Sequence, residues 1–233
     1  MISTIAFDAD DTLWSNNKHF NTTEDTFKRL LEEYSTSSDL SAHLLKVEKK
    51  NIAYHGFGVK SFTLSMIETA IEVTQGRVPT SIISQILDLG RELQRYPLVL
   101  YPGVRNLIEK LSNDYTLIMI TMGDLFDQER KIAQSGLGNL FDHIEIVSKK
   151  TSENYNSIFD RHKIDCSSCV MVGNSIRSDI IPSMKVGCWG VLVSNEPNWE
   201  YENEARKPMD SKRYFEISEL VQLQNVLSQI NSS

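Results

Sequence analysis

Three cysteines in 233 residues, Cys166, Cys169 and Cys188, are too few for a disulfide framework. The "CSSC" spacing of Cys166 and Cys169 lacks the second pair that a zinc site requires. A strand-like run follows it instead of the helix of a redox motif, so the reading is structural. None of the five histidines, His19, His43, His55, His143 and His162, has a partner at H-x3-H or HExxH spacing. No apolar run approaches the ~20 residues that span a bilayer. Asp8 interrupts the N-terminus too early for a signal peptide, and a cytoplasmic location is the expectation. Lys and Arg form no block and the net charge is −7, so neither nucleic acid nor membrane is an expected partner. A small anionic ligand is compatible, because a pocket can be locally positive on an acidic protein. Gly and Pro are sparse, at 11 and 6, while 40% of residues are hydrophobic and 24% charged. That composition predicts a soluble globular chain with ample core for one large domain or two modest ones.

Five short apolar runs stand out: "TIAF", "YTLIMIT", "HIEIV", "CVMVG" and "WGVLVS". They are nearly continuous rather than alternating, as strands buried on both faces should be. From residue 100 onward they alternate with helical patterns at Gly103–Asn113, Leu125–Ser135, Ser152–His162 and Ile176–Val186, with Ser152 as an expected N-cap. This predicts an α/β fold with a doubly wound parallel sheet. The stretch 15–98 differs, with helical patterns over about 22–35, 39–52, 60–75 and 80–95 and no strand. The expected organisation is therefore an α/β core of 1–14 and 99–233 interrupted by an all-helical module at 15–98. In open parallel sheets ligands bind beyond the carboxyl ends of the strands, where an insertion after strand 1 must emerge. The module is expected to serve as a lid.

The strand ends carry the chemistry. Strand 1 ends in Asp8-Ala9-Asp10-Asp11-Thr12 and strand 2 in Thr121-Met122-Gly123-Asp124. Ser148, Lys149 and Lys150 follow strand 3, and strand 4 runs into Gly173-Asn174-Ser175-Ile176-Arg177-Ser178-Asp179. Two like charges about 4 Å apart at an effective dielectric near 20 repel by about 4 kcal/mol. A divalent cation removes that cost, and an all-oxygen donor set favours a hard ion such as Mg2+. Lys150 and backbone N–H groups at Gly123 suit phosphoryl oxygens, with Ala9, Met122 and Lys60 as further candidates for phosphate or substrate binding. An Asp beside a metal can be a nucleophile. The constellation reads as metal-assisted phosphoryl transfer.

These residues resemble the haloacid dehalogenase (HAD) superfamily with a helical cap of the C1 type. Asp8, Asp10 and Thr12 match its DxDxT motif, Thr121 its second motif and Lys150 its third. Gly173 and Asp179 match the acidic fourth motif, where Asn174 departs from the common Asp. The resemblance implies a phosphatase in which Asp8 is the nucleophile and Asp10 the general acid and base. It further implies that Thr121 and Lys150 hold phosphoryl oxygens. Mg2+ would rest on Asp8, the Asp10 carbonyl and the fourth motif, with Asp179 as a ligand and ligation by Asn174 open. Dehalogenases of the superfamily lack an acid two residues after the nucleophile, whereas sugar-phosphate mutases keep it. A catalytically degenerate binding protein is the reading from another class, and Asn174 is its single support. The implied partner is a small phosphorylated metabolite.

Several neighbouring residues carry two readings. Asp11 is expected as a turn or capping residue, and Asp124 as a cap for the helix at Leu125. Arg177 and Ser175 either join the site or order its loop, and Lys149 is expected in solvent. "HGFGVK", with Phe57 and Lys60, either sorts substrates or is an interhelical turn. Trp14, Lys18 and His19 either reach substrate or, for Trp14, pack in the core. The polar stretch "NEPNWEYENEARKPMDSKRY" is expected as a surface loop before a last helix.

Overall fold

The computed structural model describes residues 1–194, 199, 208 and 212–232. Among these, six parallel strands form one sheet in the order β3-β2-β1-β4-β5-β6. They are β1 (Thr4–Phe7), β2 (Thr116–Met122), β3 (His143–Val147), β4 (Cys169–Gly173), β5 (Trp189–Val193) and β6 (Tyr214–Ile217). β1 lies centrally, with Phe7 opposite Met119 of β2 and Val172 of β4. The order of strands reverses at β1, which makes its carboxyl end the ligand-binding edge expected of an open α/β sheet.

Both faces of β1 are buried, and the pleat assigns its residues to two cores. Ile5 and Phe7 join Leu117, Met119, Val170 and Val172 in one cluster. It is closed by Leu107, Ile108 and Leu111 of α5 (Val104–Leu111) and by Leu223, Val226, Leu227 and Ile230 of α9 (Leu223–Ser232). Ala6 points the other way, with Ile118, Ile120 and Met171, beneath Tyr155, Ile158 and Phe159 of α7 (Ser152–His162). Cys169 and Cys188 lie in this second cluster as free thiols. Burial of each large apolar side chain contributes about 1.5–3 kcal/mol, so β1 is anchored from two sides.

The helices from residue 17 to 93 are α1 (Asn17–Leu30), α2 (Ser37–His55), α3 (Val59–Val73) and α4 (Thr80–Leu93). They have a core of their own, built from Phe27, Leu31, Leu40, Leu44, Phe62, Met66 and Ile86. α3 and α4 approach closely at Gly90, where a Cβ would lie 2.3 Å from Thr63 Oγ1. The chain forms two compact units, one of 1–15, 98–122 and 128–233, the other of 16–97 and 123–127. No helix among the described residues is long and apolar enough to cross a membrane.

Local differences from the sequence reading have physical causes. α1 starts five residues earlier than its pattern suggests, through the polar turn Asn17–Phe20. β6 falls at the end of the stretch read as a loop, most of which lies outside the described residues; its four residues include Glu216 and only Ile217 is buried. α7 is capped by Thr151 and not Ser152: Thr151 is extended, and its hydroxyl accepts from the Asn154 N–H at 3.3 Å. The helix expected over Ile176–Val186 opens as a π turn, Ile176–Ile180, before α8 (Ile181–Lys185).

Candidate active site

β1 ends at Phe7, and the Asp8 N–H still donates to the Val172 carbonyl at 2.9 Å. The chain then turns sharply: the Ala9 carbonyl accepts from the Leu13 N–H at 2.8 Å, and Asp11 adopts a left-handed φ of 59°. This fits the turn role expected of Asp11, although its side chain is also buried. The turn directs Asp8 and Asp10 to different partners.

Asp8 is 6% exposed and contacts the Lys150 ammonium. Lys150 also reaches Asp179 Oδ1 at 2.7 Å. Its position is fixed by the cap at Thr151, since it immediately precedes the entrance to α7. The Thr12 hydroxyl lies 3.0 Å from Asp8 Oδ2 and 3.3 Å from Asn174 Oδ1, and its one proton serves either. Asp179 is placed by the π turn: its Oδ2 accepts from the Ser175 N–H at 3.0 Å. Gly173 makes room for it, because a Cβ there would come within 2.3 Å of Asp179 Oδ2. Asp8, Thr12, Lys150, Asn174 and Asp179 are thus brought together.

Two buried carboxylates share one ammonium in this group. Burial raises the Asp8 pKa to about 7 despite the lowering pull of Lys150, and Asp179 pushes it further up. Burial also disfavours the Lys150 charge, but Asp179 and Asp8 outweigh it and hold the ammonium above its ordinary range. The cluster is short of positive charge. Its donors are carboxylate and amide oxygens, which suit a hard divalent cation. Among the described residues no three His, Cys, Asp or Glu side chains are grouped to hold a metal by themselves. A cation would therefore rest on Asp8 and Asp179 with the Asn174 amide, backbone oxygen and water completing the shell, as is usual for Mg2+.

Asp10 faces elsewhere. Its Oδ1 accepts from Trp14 Nε1 and Lys131 Nζ, both at 2.7 Å, and its Oδ2 from Lys131 Nζ at 2.6 Å and Gln128 Nε2 at 3.0 Å. Gln128 Nε2 also reaches the buried Thr121 hydroxyl and, at 3.5 Å, the Met122 carbonyl. Gln128 and Lys131 lie on α6 (Leu125–Ser135), and neither was singled out in the sequence. The three-residue spacing that puts them on one face is visible there, but polar helix residues ordinarily face solvent. Here the order is inverted: Gln128 and Lys131 are 2% and 8% exposed, Leu125 and Phe126 60% and 65%.

The remaining candidates resolve individually. Trp14 is buried and serves both packing and Asp10. His19 stacks on Tyr96 with ring centroids 4.4 Å apart. Lys60 is largely exposed and pairs with Asp124 at 2.9 Å. Ser175 orders its own loop, accepting from the Ser178 N–H at 2.9 Å. Gly123 follows Met122 directly at the end of β2.

A family model for haloacid dehalogenase-like hydrolases matches residues 2–183. The chain belongs to that family. A haloacid dehalogenase-like family hydrolase from Xanthomonas campestris is 35% identical, with a TM-score of 0.88 over 99% of this chain and 92% of that one. The putative HAD-hydrolase YfnB from Bacillus subtilis, solved bound to magnesium, shares 19% identity and a TM-score of 0.68 over 97% and 99% of the two chains. L-2-haloacid dehalogenase from Xanthobacter autotrophicus, solved with chloropropionic acid covalently bound, shares 14% and 0.68 over 98% and 99%. A search of curated proteins finds no match. Neighbours of this HAD hydrolase fold include dehalogenases and a phosphatase alike, so the fold does not select between the two reactions.

Proposed function

We propose that this HAD hydrolase is a Mg2+-dependent phosphomonoesterase acting on a small, water-soluble phosphorylated metabolite. The observation that carries the reading is Asp10, a second carboxylate two residues from Asp8 and ordered by three side chains. Halide leaves carbon as a stable anion and needs no acid. An alkoxide leaving phosphorus does need one, and an acid at the leaving oxygen typically contributes 10²–10⁴-fold.

In the first step a carboxylate oxygen of Asp8 attacks phosphorus, the phosphorus–ester oxygen bond breaks, and Asp10 gives its proton to the departing oxygen. In the second, Asp10 takes a proton from water as that water attacks the aspartyl phosphate, and inorganic phosphate leaves with Asp8 restored. Thr121 and Lys150 hold the non-reacting phosphoryl oxygens, with backbone N–H groups of Ala9, Met122 and Gly123 as further donors. Asp8, Asp179, Asn174 and the Asp10 carbonyl would hold Mg2+. When bound, it would supply the positive charge that lets the anionic nucleophile and an anionic phosphoryl group approach. Magnesium in the Bacillus neighbour supports this choice of ion. A small substrate is favoured by the point at which the helical segment enters the chain, directly after β1.

The test is hydrolysis of an aryl phosphate with and without Mg2+. Metal-dependent release of phosphate is expected. Release of halide from 2-haloacids without metal, and no phosphate under any condition, would reverse the assignment. Isomerised sugar phosphate in place of free phosphate would make the protein a mutase.

A further inference from the structure

Lys131 is an expensive residue to bury. Desolvating an ammonium and a carboxylate costs several kcal/mol per ion, and an apolar pair of the same volume often serves stability as well or better. A buried lysine paired with a partly exposed carboxylate at a strand tip is therefore poorly explained by stability alone. Its geometry is specific as well. Lys131 Nζ spans both oxygens of Asp10 at 2.7 and 2.6 Å, while Trp14 holds one oxygen from its own turn and Gln128 the other. Gln128 in addition ties Asp10 to the Thr121 hydroxyl, so α6 links the end of β1 to the end of β2.

The geometry points to Lys131, supported by Gln128, as the positioning residue that sets where the Asp10 carboxylate stands relative to the leaving oxygen. It touches Asp10 and no reacting atom. The assignment rests on the phosphatase reading above. General acid catalysis demands a donor within about 2.6–3.2 Å of the atom it protonates, and a 1 Å misplacement can cost about 10²-fold. A carboxylate held at both oxygens has its plane fixed. Loss of Lys131 removes the bridge between the two oxygens, which Trp14 and Gln128 each contact singly.

The experiment compares kcat/KM for an aryl phosphate with a good leaving group and for an alkyl phosphate with a poor one. Both are measured in Mg2+ on the full chain, for wild type, Lys131→Met, Gln128→Met and Asp10→Asn. kcat/KM reports the step in which the ester bond breaks, where only the alkoxide needs its proton. Lys131→Met is expected to lose about 100-fold on the alkyl ester and no more than about threefold on the aryl ester. Asp10→Asn should show the same bias more strongly. Gln128→Met, which leaves the ion pair in place, should show it weakly and is the fallback if Lys131→Met does not fold. Equal losses on both esters, or none, with Asp10→Asn biased as expected, overturn the positioning role and leave the phosphatase reading standing. If wild type hydrolyses neither ester, the phosphatase reading fails and this assignment falls with it.

Discussion

Asp8 and Asp10 leave the same strand tip, yet they meet opposite electrostatic surroundings. Around Asp8, one ammonium serves two buried carboxylates, and the neighbouring donors are the Thr12 hydroxyl and backbone. Around Asp10, the Lys131 ammonium contacts both carboxylate oxygens, with Trp14 and Gln128 as neutral donors. Two carboxylates share the ammonium on the first side, whereas on the second the ammonium grips one carboxylate at both oxygens. A group meant to receive a cation and an anionic phosphoryl group belongs in the first setting. A group meant to exchange a proton with a single oxygen belongs in the second, where its orientation is fixed before substrate arrives.

Replacing Asp8, the proposed nucleophile, tests this contrast most severely. Asp8→Asn should lower turnover of any phosphate ester by at least about 10⁴-fold, as loss of a covalent nucleophile does elsewhere. It should not weaken the fold, because it neutralises one of the two carboxylates that share the Lys150 ammonium. Urea unfolding alongside the assay separates the two effects. A variant with wild-type turnover would show that Asp8 is not the nucleophile.

The two buried lysines give the next difference. Removing one member of a buried pair costs about 3–5 kcal/mol, and Lys150→Met strands two carboxylates together. Lys131→Met leaves Asp10 with Trp14 and Gln128 and should cost less. Mg2+ should recover part of the Lys150→Met loss, since it supplies the missing charge and binds only the folded chain. The readout is the urea midpoint with and without Mg2+. Equal midpoints for the two variants, or no Mg2+ response in Lys150→Met, would break the account of a charge-deficient Asp8 cluster.

How much of this was legible in the sequence follows from where each residue sits. Four strands declared themselves because burial on both faces demands continuous apolar runs, as "CVMVG" shows with every residue buried; β3 is an edge strand with no residue fully buried and was read from its Ile-Glu-Ile-Val run alone. β6 did not, being a four-residue edge strand that carries Glu216. Asp8, Thr121, Lys150 and Asp179 stood out as candidates because the chain places them at the ends of strands, at a helix entrance or in the turn that follows a strand. Lys131 and Gln128 did not. Nothing local distinguishes a polar face that packs under a strand tip from one that meets water. The exposed Leu125 and Phe126 beside them are the sole hint, and they become one only after burial is known.

The smallest expected effect concerns a carboxylate far from this chemistry in the sequence. Glu48 of α2 has its pKa raised to about 8, first by burial and then by Glu24. Asp8 shows a comparable rise, so the shift alone does not single out a site; what sets Asp8 apart is the company of Lys150, Asp179 and Asn174. The sign is definite. The unfolded chain releases the Glu48 proton near the ordinary glutamate value of 4.5, whereas the folded chain keeps it until about pH 8. Stability from this group is full below pH 4.5 and declines as pH rises to 8. The side chain is partly exposed, which discounts the loss to about 1 kcal/mol. Glu48→Gln removes the titration while keeping the shape. Its urea midpoint should equal that of wild type near pH 4 and exceed it by a margin that grows toward pH 8. Parallel pH profiles for the two proteins would show that Glu48 is solvated, and the likeness to Asp8 would disappear with it.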